Sequence, residues 1–392
     1  MRILVLSYLF PNVNEPIKGK FVYEQLAALS KKASIVVIAP IPFAPMVRKW
    51  RGVPTYERRN NMDIYHPRFL PLPLDRLQWI TGIFYSLTAF VFGGLVVRNF
   101  QPQVIHSHTT FYDGLPGALL SRAYGRPLVV TAHGSDLRFW TKFMPIRAFT
   151  AYTLKRAKKV VSPHPETTVM LAALVSRDKI LEIPNGVDTN KYTDEKPPDV
   201  SELKQRLGLS DPVVVYVAGL AEFRDPLTFV RAAAIIRREI PNASFVVIGD
   251  GPLRQVAQRE AELLGVSDRV RFLGIRTDVD RLLHLGPIFT ALSPVDNLWC
   301  TSLVEAMAAG RACVVTEAGT EIRLHELLSQ VVILISPKNP MALAEAVAML
   351  WREPKRRQQV ATAARDFACQ HFDLEKVASR IMSLYRLVSS SC

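Results

Sequence analysis

The residues best suited to chemistry stand in a polar loop and the helical segment after it, within ALSPVDNLWCTSLVEAMAAGRACVVT. Apolar residues at 289–292 predict a strand, and a helix is predicted from near Ser302 to Gly310, a residue type that favours helix ends. A helix N-terminus after a strand is the usual anion site of an open α/β sheet, because the first N–H groups of a helix lack partners within it. We therefore predict that N–H groups around Leu303 bind a diphosphate and that Glu305 accepts hydrogen bonds from ribose hydroxyls.

A structural interpretation of the same residues stays open. Ser302 and Glu305 have the spacing of a capping box, in which a serine and a glutamate satisfy each other's backbone N–H groups. Capping signals are much commoner than nucleotide sites, so other parts of the chain have to distinguish the two interpretations.

Further polar side chains follow predicted strands in the first half. His133 ends one strand beside a glycine that allows close approach of a ligand, and His106 and His108 flank a serine at the end of another. Residues i and i+2 of a strand share one face, so these two histidines could ligate a metal, but no third ligand is evident and no metal site is predicted. The simpler alternatives are hydrogen-bonded structural histidines and, for Asp113 and Asp136, caps of the following helices.

Two loops in the second half have nucleotide-site character. Arg224 precedes Asp225-Pro226, which predicts a helix with aspartate at the N-cap and proline at the first position. An arginine beside a helix N-terminus adds charge and a planar fork to an anion site, although an exposed surface arginine is the structural alternative. Gly251 belongs to the turn GDGP, which has only part of a nucleotide-binding glycine pattern.

Short apolar segments alternate with helical patterns twice along the chain, which is typical of parallel sheets covered by helices. Predicted strands occupy 2–7, 34–39, 104–106, 128–131, 158–162 and 180–183 in the first series, and 213–217, 244–248, 270–272, 289–292, 312–315 and 331–335 in the second. The predicted fold class is therefore α/β, with two Rossmann-like, doubly wound domains facing a cleft in which ligands bind.

Composition predicts the domain boundaries. Residues 1–190 form the N-terminal domain, the polar, proline-bearing segment 191–212 a linker, and 213–370 the C-terminal domain, with 371–392 a helix that packs back towards the N-terminal domain. Residues 40–73 are predicted as a long irregular segment with basic residues between aromatic ones, and such loops are usually functional.

The positive charge is confined to the first half. Residues 1–185 hold 24 Lys and Arg against 10 Asp and Glu, whereas 186–392 hold 25 of each. A one-sided basic field favours an anionic partner. Without a helix-turn-helix, zinc-finger or RNA-binding aromatic pattern, that partner is not predicted to be nucleic acid, which favours a phospholipid surface or a phosphorylated substrate.

Composition and cysteine spacing exclude other classes of protein. Hydrophobic residues are 49% of the 392 residues and charged ones 21%, as in globular chains. The four cysteines are too widely spaced for a zinc site or a disulfide framework, so a reducing cytoplasm is expected. The uncharged segment 79–97 is long enough to span a bilayer. Because α/β alternation continues on both sides of it, a buried domain helix is favoured over one embedded in the membrane surface or spanning it.

In their order along the chain, these motifs resemble one family. The Gly19 loop, IHSHTTFYDGLPGALL, VVTAHGSD, IPNGVD, RDPL, IGDGP and SLVEAMAAG are similar, nearly end to end, to the retaining glycosyltransferases of family four, which have the GT-B fold. Members transfer a sugar from a nucleotide-sugar donor with retention of anomeric configuration and generally need no metal. The resemblance implies no cofactor, a nucleotide sugar as substrate, and a first domain that takes the acceptor.

The resemblance also assigns roles to residues. His133 matches the histidine near the donor sugar, Arg224 the basic residue at the diphosphate and Glu305 the glutamate that holds the ribose, and these three are the expected catalytic residues. Donor-binding residues are expected at Gly19, Lys20, Gly219, Arg224, Gly251, Asn297, Thr301, Ser302, Leu303 and Glu305. Acceptor-binding residues are expected at His108, Asp113 and Asp136.

Two positions depart from the family's pattern. Gly219 stands where an arginine that contacts the diphosphate is usual, and Asn297 stands where a glutamate is usual, eight positions before Glu305 and next to Asp296. Loss of one cation at the leaving group would cost a few kcal/mol of transition-state stabilisation. The site is therefore predicted to be retuned, slower or devoted to another donor.

The favoured hypothesis is a retaining, metal-independent glycosyltransferase that acts on a lipid-linked or other membrane-associated acceptor in cell-envelope glycan assembly. It would act in the cytoplasm, peripherally at the inner face of the cell membrane. One alternative is a catalytically weak or silent homologue that binds nucleotide sugars and acts through a partner protein. Another is a different two-domain sugar-nucleotide enzyme, such as an epimerase.

Overall fold

The computed structural model describes residues 1–43, 51–72, 78–138, 143–293, 300–317 and 329–390. The chain divides into two compact units. The first contains Met1–Gly186 together with the C-terminal segment from Leu374, and the second contains Val187–Asp373. Each unit is built on a mostly parallel sheet with covering helices, which confirms the predicted α/β class.

The first unit has the longer of the two main sheets and, in Ile41–Pro42 and Arg68–Phe69, a separate two-stranded sheet. Its strands are β1 (Arg2–Leu6), β2 (Ser34–Ile38), β3 (Ile41–Pro42), β4 (Tyr56–Arg59), β5 (Met62–Tyr65), β6 (Arg68–Phe69), β7 (Val104–Ser107), β8 (Leu128–Thr131), β9 (Lys159–Ser162) and β10 (Ile180–Glu182). Its helices are α1 (Lys20–Ser30), α2 (Gln78–Phe100), α3 (Gly114–Tyr124), α4 (Ser135–Arg138), α5 (Met144–Arg156), α6 (Pro165–Ala172) and, from the end of the chain, α14 (Leu374–Ser390). Among the described residues, the sheet runs β10-β9-β8-β7-β1-β2-β5-β4 and is parallel except for β4.

Helices cover both faces of this sheet. α1 and α14 lie on one face, where Leu26 and Ile381 belong to the same buried cluster as the strand residues. α2, α3 and α5 lie on the other, where Val97 and Leu154 are buried against the sheet. A sheet buried on both sides needs apolar residues at successive positions, which explains the unbroken apolar runs of its central strands.

The prediction of an irregular segment over 40–73 is wrong for the part that the structure describes. β4 and β5 form an antiparallel hairpin that widens the sheet, with Arg59 paired to Met62, and β3 pairs with β6. The connecting residues Asn60 and Asn61 have φ of 48° and 59°. These are the left-handed values that a two-residue hairpin turn requires and asparagine tolerates, so the Asn-Asn pair is the sequence signal for this hairpin.

The second unit has the shorter sheet. Its strands are β11 (Val213–Val217), β12 (Ser244–Ile248), β13 (Val270–Gly274), β14 (Ile288–Ala291), β15 (Ala312–Thr316) and β16 (Ile333–Ile335). Its helices are α7 (Val200–Arg206), α8 (Pro226–Glu239), α9 (Arg254–Leu263), α10 (Val279–Leu282), α11 (Thr301–Ala308), α12 (Pro340–Arg352) and α13 (Pro354–His371). The described strands form a parallel sheet in the order β13-β12-β11-β14-β15-β16. Every strand predicted from the sequence matches one in the structure within two residues.

The predicted linker 191–212 is wrong, because this segment belongs to the second unit. It contains α7 and contributes Tyr192, Val200 and Leu209 to a buried core cluster. These few apolar side chains hold an otherwise polar segment in place, so its polar composition was a poor guide to a boundary. The C-terminal segment forms α14 in the first unit, packed against α1.

The uncharged segment 79–97 lies within α2, which has one buried and one exposed side. Tyr85, Ala89 and Val97 are buried in the first unit. By length and composition α2 is long and apolar enough to cross a membrane, and 39% of its apolar stretch is buried inside the unit. The helix is therefore part of the domain structure, as favoured from the sequence, and it also presents an apolar surface.

Candidate active site

Each sheet has one place where the strand order reverses. In the first unit it lies between β1 and β7, and in the second between β11 and β14. At such a switch point the loops from the carboxyl ends of the two strands diverge to opposite faces, which opens a crevice where open α/β sheets bind ligands. Most of the predicted site residues lie in or next to these loops.

Arg224 lies in the loop after β11, and two hydrogen bonds fix this loop. Tyr216 of β11 donates its hydroxyl to the Arg224 carbonyl oxygen (2.5 Å). Ser293, just after β14, donates its hydroxyl to the Phe223 carbonyl oxygen (2.9 Å). The half-buried Arg224 is thereby tied to both strands of the switch point.

The residue after Arg224 begins α8 as predicted. Asp225 is the N-cap and its carboxylate accepts a hydrogen bond from the Thr228 N–H (3.4 Å), with Pro226 as the first helical residue. Asp225 has φ of 48°, a left-handed conformation that costs a non-glycine residue about 1 kcal/mol or more. Strain of this kind is concentrated at functional sites, where surrounding structure holds it in place.

The glycines at 219 and 251 differ in the space around them. A Cβ on Gly251 would lie 2.5 Å from the Leu220 carbonyl oxygen, since the Leu253 N–H donates to that oxygen (2.9 Å) and draws the two loops together. A Cβ on Gly219 would meet only the Asp250 carbonyl oxygen, at 3.9 Å. Gly251 is therefore required by close packing, whereas a larger side chain can be accommodated at Gly219.

α11 begins at Thr301, one residue before the predicted start, and follows the carboxyl end of β14. Cys300 is its N-cap, and no described side chain caps it. The N–H groups of Leu303 and Val304 donate to the Cys300 carbonyl oxygen (3.0 and 3.3 Å), so the prediction that N–H groups around Leu303 are free for a diphosphate is wrong for these two. The N–H groups of Thr301 and Ser302 have no acceptor among the described residues, and they remain available to an anion.

Glu305 is buried and held by a tyrosine. The Tyr192 hydroxyl donates to Glu305 Oε1 (2.7 Å), and the glutamate is 6% exposed. The capping box is wrong, because Ser302 lies inside the helix and its hydroxyl contacts Cys300 Sγ (3.4 Å) instead. Sequence reasoning missed Tyr192, which is 113 positions away in the supposed linker. Asn297 and the neighbouring Asp296 lie outside the described residues.

Three histidines form a row at the switch point of the first unit. The rings of His106 and His108 are 4.3 Å apart, and those of His108 and His133 are 5.8 Å apart and nearly parallel. All three pKa values are lowered by burial, that of His106 to about 3. The imidazoles are therefore neutral near pH 7, and each can donate one hydrogen bond and accept one.

The three histidines differ in their partners. His106 contacts Tyr385 Oη through Nδ1 (2.6 Å) and Thr131 Oγ1 through Nε2 (2.8 Å), so the structural interpretation holds for it. All four ring nitrogens of His108 and His133 are buried without a partner among the described residues. Buried polar atoms are nearly always paired, so these two histidines, and not His106, are the members of the row with hydrogen-bonding capacity left for a ligand or water.

The two aspartates of this region do not cap helices. Asp113 precedes α3 without a capping bond, and its carboxylate accepts from Tyr85 Oη (2.7 Å) and Thr109 Oγ1 (2.9 Å). Asp136 lies inside α4 and accepts from the Thr110 N–H (2.8 Å) through Oδ2, whereas Oδ1 has no described partner. Burial raises both pKa values, that of Asp113 to about 6.

Gly19 and Lys20 lie where α1 begins. Gly19 has φ of 63°, and a Cβ there would lie 2.3 Å from the Leu9 carbonyl oxygen, so the loop after β1 requires glycine at this position. Lys20 is the first residue of α1 and pairs with Glu24 (3.5 Å). The Phe21 ring contacts the His133 ring at 5.1 Å, which brings the start of α1 next to the histidine row.

Metal binding has no support from side-chain clusters. Within the described ranges, no group of three or more His, Cys, Asp and Glu side chains is placed to hold a metal ion. That the reaction needs no metal stays a prediction.

Two family models match the chain. The Glycosyltransferase Family 4 model matches residues 19–191, and the Glycosyl transferases group 1 model matches residues 211–353. Together they account for most of both units. The chain belongs to the group 1, family-four glycosyltransferases, which confirms the resemblance drawn from the sequence, and it is an enzyme of that class with the GT-B fold.

Individual relatives agree with this family. TuaC of Bacillus subtilis, a glycosyltransferase named for teichuronic acid biosynthesis, is 26% identical and aligned over the whole of both chains. The GDP-mannose-dependent alpha-(1-6)-phosphatidylinositol monomannoside mannosyltransferase of Mycolicibacterium smegmatis is 25% identical over 86% of this chain and 88% of that protein. The crystal structure of Anabaena HepE with UDP and glucose superposes with a TM-score of 0.75 at 21% identity, covering 98% of this chain and 99% of that one, which shows the shared fold.

Proposed function

We propose that this glycosyltransferase moves a sugar from a nucleotide-sugar donor to a lipid-linked or other membrane-associated acceptor, with retention of anomeric configuration and without a bound metal. One observation carries the proposal: the N-terminus of α11, which no described side chain caps, the half-buried Arg224 and the buried Glu305 all belong to the elements around one switch point. Together they provide positive charge for a diphosphate and an acceptor for sugar hydroxyls.

The second unit is proposed to hold the donor. The N–H groups of Thr301 and Ser302 and the Arg224 guanidinium stabilise the negative charge that develops on the leaving diphosphate. Glu305, oriented by Tyr192, accepts hydrogen bonds from the ribose hydroxyls. Because fixed positive groups meet the leaving diphosphate, a metal cation is not required, and transfer should continue in excess EDTA.

The first unit is proposed to bind the acceptor and the reacting sugar. Neutral His133 forms hydrogen bonds to hydroxyls of the donor sugar through its ring nitrogens. His108, through its ring nitrogens, and Asp136, through Oδ1, form hydrogen bonds to hydroxyls of the acceptor. Asp113, which is already bonded to Tyr85 and Thr109, orients this pocket from within the unit.

The class of acceptor and the cellular location rest on charge and on relatives. The excess of basic residues in 1–185 favours an anionic acceptor and contact with an anionic membrane. The mycobacterial relative named above is called a phosphatidylinositol monomannoside mannosyltransferase, which supports a lipid acceptor here by analogy. The proposed location is the inner face of the cell membrane, with the protein bound peripherally.

A panel of donors and acceptors tests the proposal. The protein is incubated with UDP-, GDP- and ADP-sugars and with polyprenyl-phosphate-linked sugars or phospholipids, and nucleoside diphosphate release and product mass are measured. Glu305→Ala should lower transfer at least tenfold. Glu345→Ala, which alters an exposed residue of α12, should leave it unchanged. No release from any of the three donor classes, or full activity of Glu305→Ala, would contradict the proposal.

Gly219 favours a second candidate function, a silent homologue that binds nucleotide sugars and acts through a partner protein. Loss of the usual arginine at this position removes a cation from the leaving-group site. Saturable binding of a nucleotide sugar in calorimetry, with no product from any acceptor in the panel, would favour this candidate over transfer.

A further inference from the structure

Three helices of the first unit form a layer without negative charge. α3 packs against both α2 and α5 on one face of the sheet. None of the three helices contains Asp or Glu. They carry five basic residues, namely Arg98, Arg122, Arg147, Lys155 and Arg156. This layer therefore contributes five positive charges, with no negative ones, to the net excess of 14 in residues 1–185.

The outer side of α2 is apolar. Leu87, Val91 and Leu95 are 56%, 57% and 53% exposed, and their spacing of four residues places them on one side of the helix. The opposite side packs closely into the unit, since a Cβ on Gly93 would lie 2.6 Å from Leu120 Cδ1. The exposed stripe therefore belongs to a helix whose other side is closely packed. The helix cannot turn to bury the stripe without losing that packing.

The exposed cations of this layer also lack acidic partners within the described part of the chain. Arg98, Arg122, Arg147 and Lys155 are exposed, and none of them pairs with an acidic side chain among the described residues. Some exposed cations elsewhere do form pairs, as in Lys31 with Glu375 (2.6 Å) and Arg352 with Glu239 (2.7 Å).

We propose that the α2–α3–α5 face docks the first unit on an anionic phospholipid membrane. Leu87, Val91 and Leu95 enter the interfacial region, and Arg122, Arg147 and Lys155 bind the lipid phosphates. An apolar stripe beside unpaired cations complements a lipid surface, which offers phosphates above acyl chains across a wide plane. The inference rests on the proposed function in one respect, namely that the acceptor is in the membrane.

Vesicle flotation tests this face directly. With vesicles of phosphatidylglycerol and phosphatidylcholine at low salt, the wild-type protein should float, and with phosphatidylcholine alone it should not. The variant R122Q/R147Q/K155Q should bind about 100-fold more weakly, because each basic residue near an anionic surface contributes about 1 kcal/mol. The variant L87N/V91N/L95N should lose at least tenfold, and this loss should persist when salt is varied.

Matched variants of the second unit are the controls. R238Q/R259Q/K355Q removes three exposed cations and V256N/L263N/L264N three exposed apolar side chains, and both should float like the wild type. Equal losses in the control variants, or flotation that none of the variants changes, would overturn the proposal. Flotation does not require sugar transfer, so a protein that floats through this face yet transfers nothing refutes the proposed function alone.

An independent observation concerns the C-terminal helix. His106 is the one histidine of the row with both nitrogens bonded, and its Nδ1 partner is Tyr385 of α14. Tyr385 is fully buried, and burial raises its pKa so that it stays a phenol. His108 packs on the His106 ring and His133 on the His108 ring, so the unbonded members of the row are stacked on a bonded one.

The geometry assigns Tyr385 as a positioning residue for His108 and His133. It acts through His106, and the helix that supplies it enters the first unit directly after the last residue of the second. The packing of α14 in the first unit thus determines the position of the three histidine rings.

The test separates positioning from stability. Tyr385→Phe should shift the imidazole NMR signals of His108 and His133 and lower kcat about tenfold, with the KM for the donor nearly unchanged. Ile381→Val, a smaller change in the same helix, is the control and should alter thermal stability without either effect. Unchanged His108 and His133 signals in Tyr385→Phe would refute the assignment, whatever the change in stability.

Discussion

The switch points of the two units offer different chemical groups to a ligand. In the second unit, the groups available to a ligand are the first N–H groups of α11 and one half-buried arginine, and the acidic residue Glu305 already has a tyrosine partner. In the first unit, they are the side chains of His108, which is buried, and His133, which is half-buried. The ring nitrogens of both are buried and have no described partner. One place is suited to stabilising negative charge and the other to binding uncharged hydroxyls. The difference agrees with the proposal that the second unit holds the leaving group and the first unit the acceptor.

The largest expected effect comes from removing the charge in the second unit. Arg224→Ala should lower kcat/KM about 10²- to 10³-fold, since a charged donor aimed at a leaving group is worth about 3–4 kcal/mol at the transition state. Affinity for the nucleoside diphosphate should fall as well. Arg238→Ala, at an exposed position of α8, is the control. Equal activity of the two variants in steady-state kinetics would contradict the claim that the second unit stabilises negative charge on the leaving group.

The corresponding change in the first unit should have a different signature. His133→Asn keeps a polar side chain but displaces its nitrogens, and we expect kcat to fall about 10- to 100-fold, the equivalent of one or two hydrogen bonds. Nucleoside diphosphate affinity, measured by calorimetry, should stay within about twofold of wild type. A large loss of that affinity would show that the first unit also binds the leaving group, against the division drawn above.

A gain of function sharpens the comparison. Gly219→Arg adds a cation where the backbone leaves room for a side chain, and one charge-assisted hydrogen bond to the diphosphate should raise kcat/KM about tenfold. Gly219→Met, of similar length and uncharged, is the control and should not do so. If both variants gain equally, packing and not charge is responsible.

The smallest effect concerns stability and pH. Burial raises the pKa of Asp113 to about 6, from 3.8, so between these values the folded chain holds a proton that the unfolded chain releases. The contribution of this carboxyl to the free energy of unfolding therefore decreases as pH rises towards 6 and levels off above it. Urea unfolding of wild type and Asp113→Asn should give a difference that changes by about 1 kcal/mol between pH 5 and pH 7. Parallel pH profiles would show that the pKa of Asp113 is ordinary.

The fold was largely predictable because both sheets consist of unbroken apolar strands between helices. The hairpin of β4 and β5 was missed because its strands are short and largely polar. Its only local sequence signal is the turn Asn60-Asn61. In the second-unit site, the position of α11 follows from local pattern. Its link to Tyr192 does not, because a contact between distant segments leaves no local signal.

The first-unit site was less predictable for the same physical reason. His106, His108 and His133 look alike in sequence, as polar residues at strand ends. Their roles separate only when Tyr385 and Thr131 reach His106 and leave the other two without partners. Which histidine is structural depends on long-range packing, and no spacing rule contains that information.

The return of the chain to the first unit at Leu374 has a consequence for folding during synthesis. The part of this sheet face that α14 covers stays open until residues 374–390 have been made, because the whole second unit is translated before them. Val377, Ile381 and Val388 complete a core whose members outside α14 lie at or before Ile183 and were made more than 180 residues earlier. A nonsense mutation after Asp373 would leave the second unit whole and the first without α14, so the core of the first unit is completed only after the second unit has been translated.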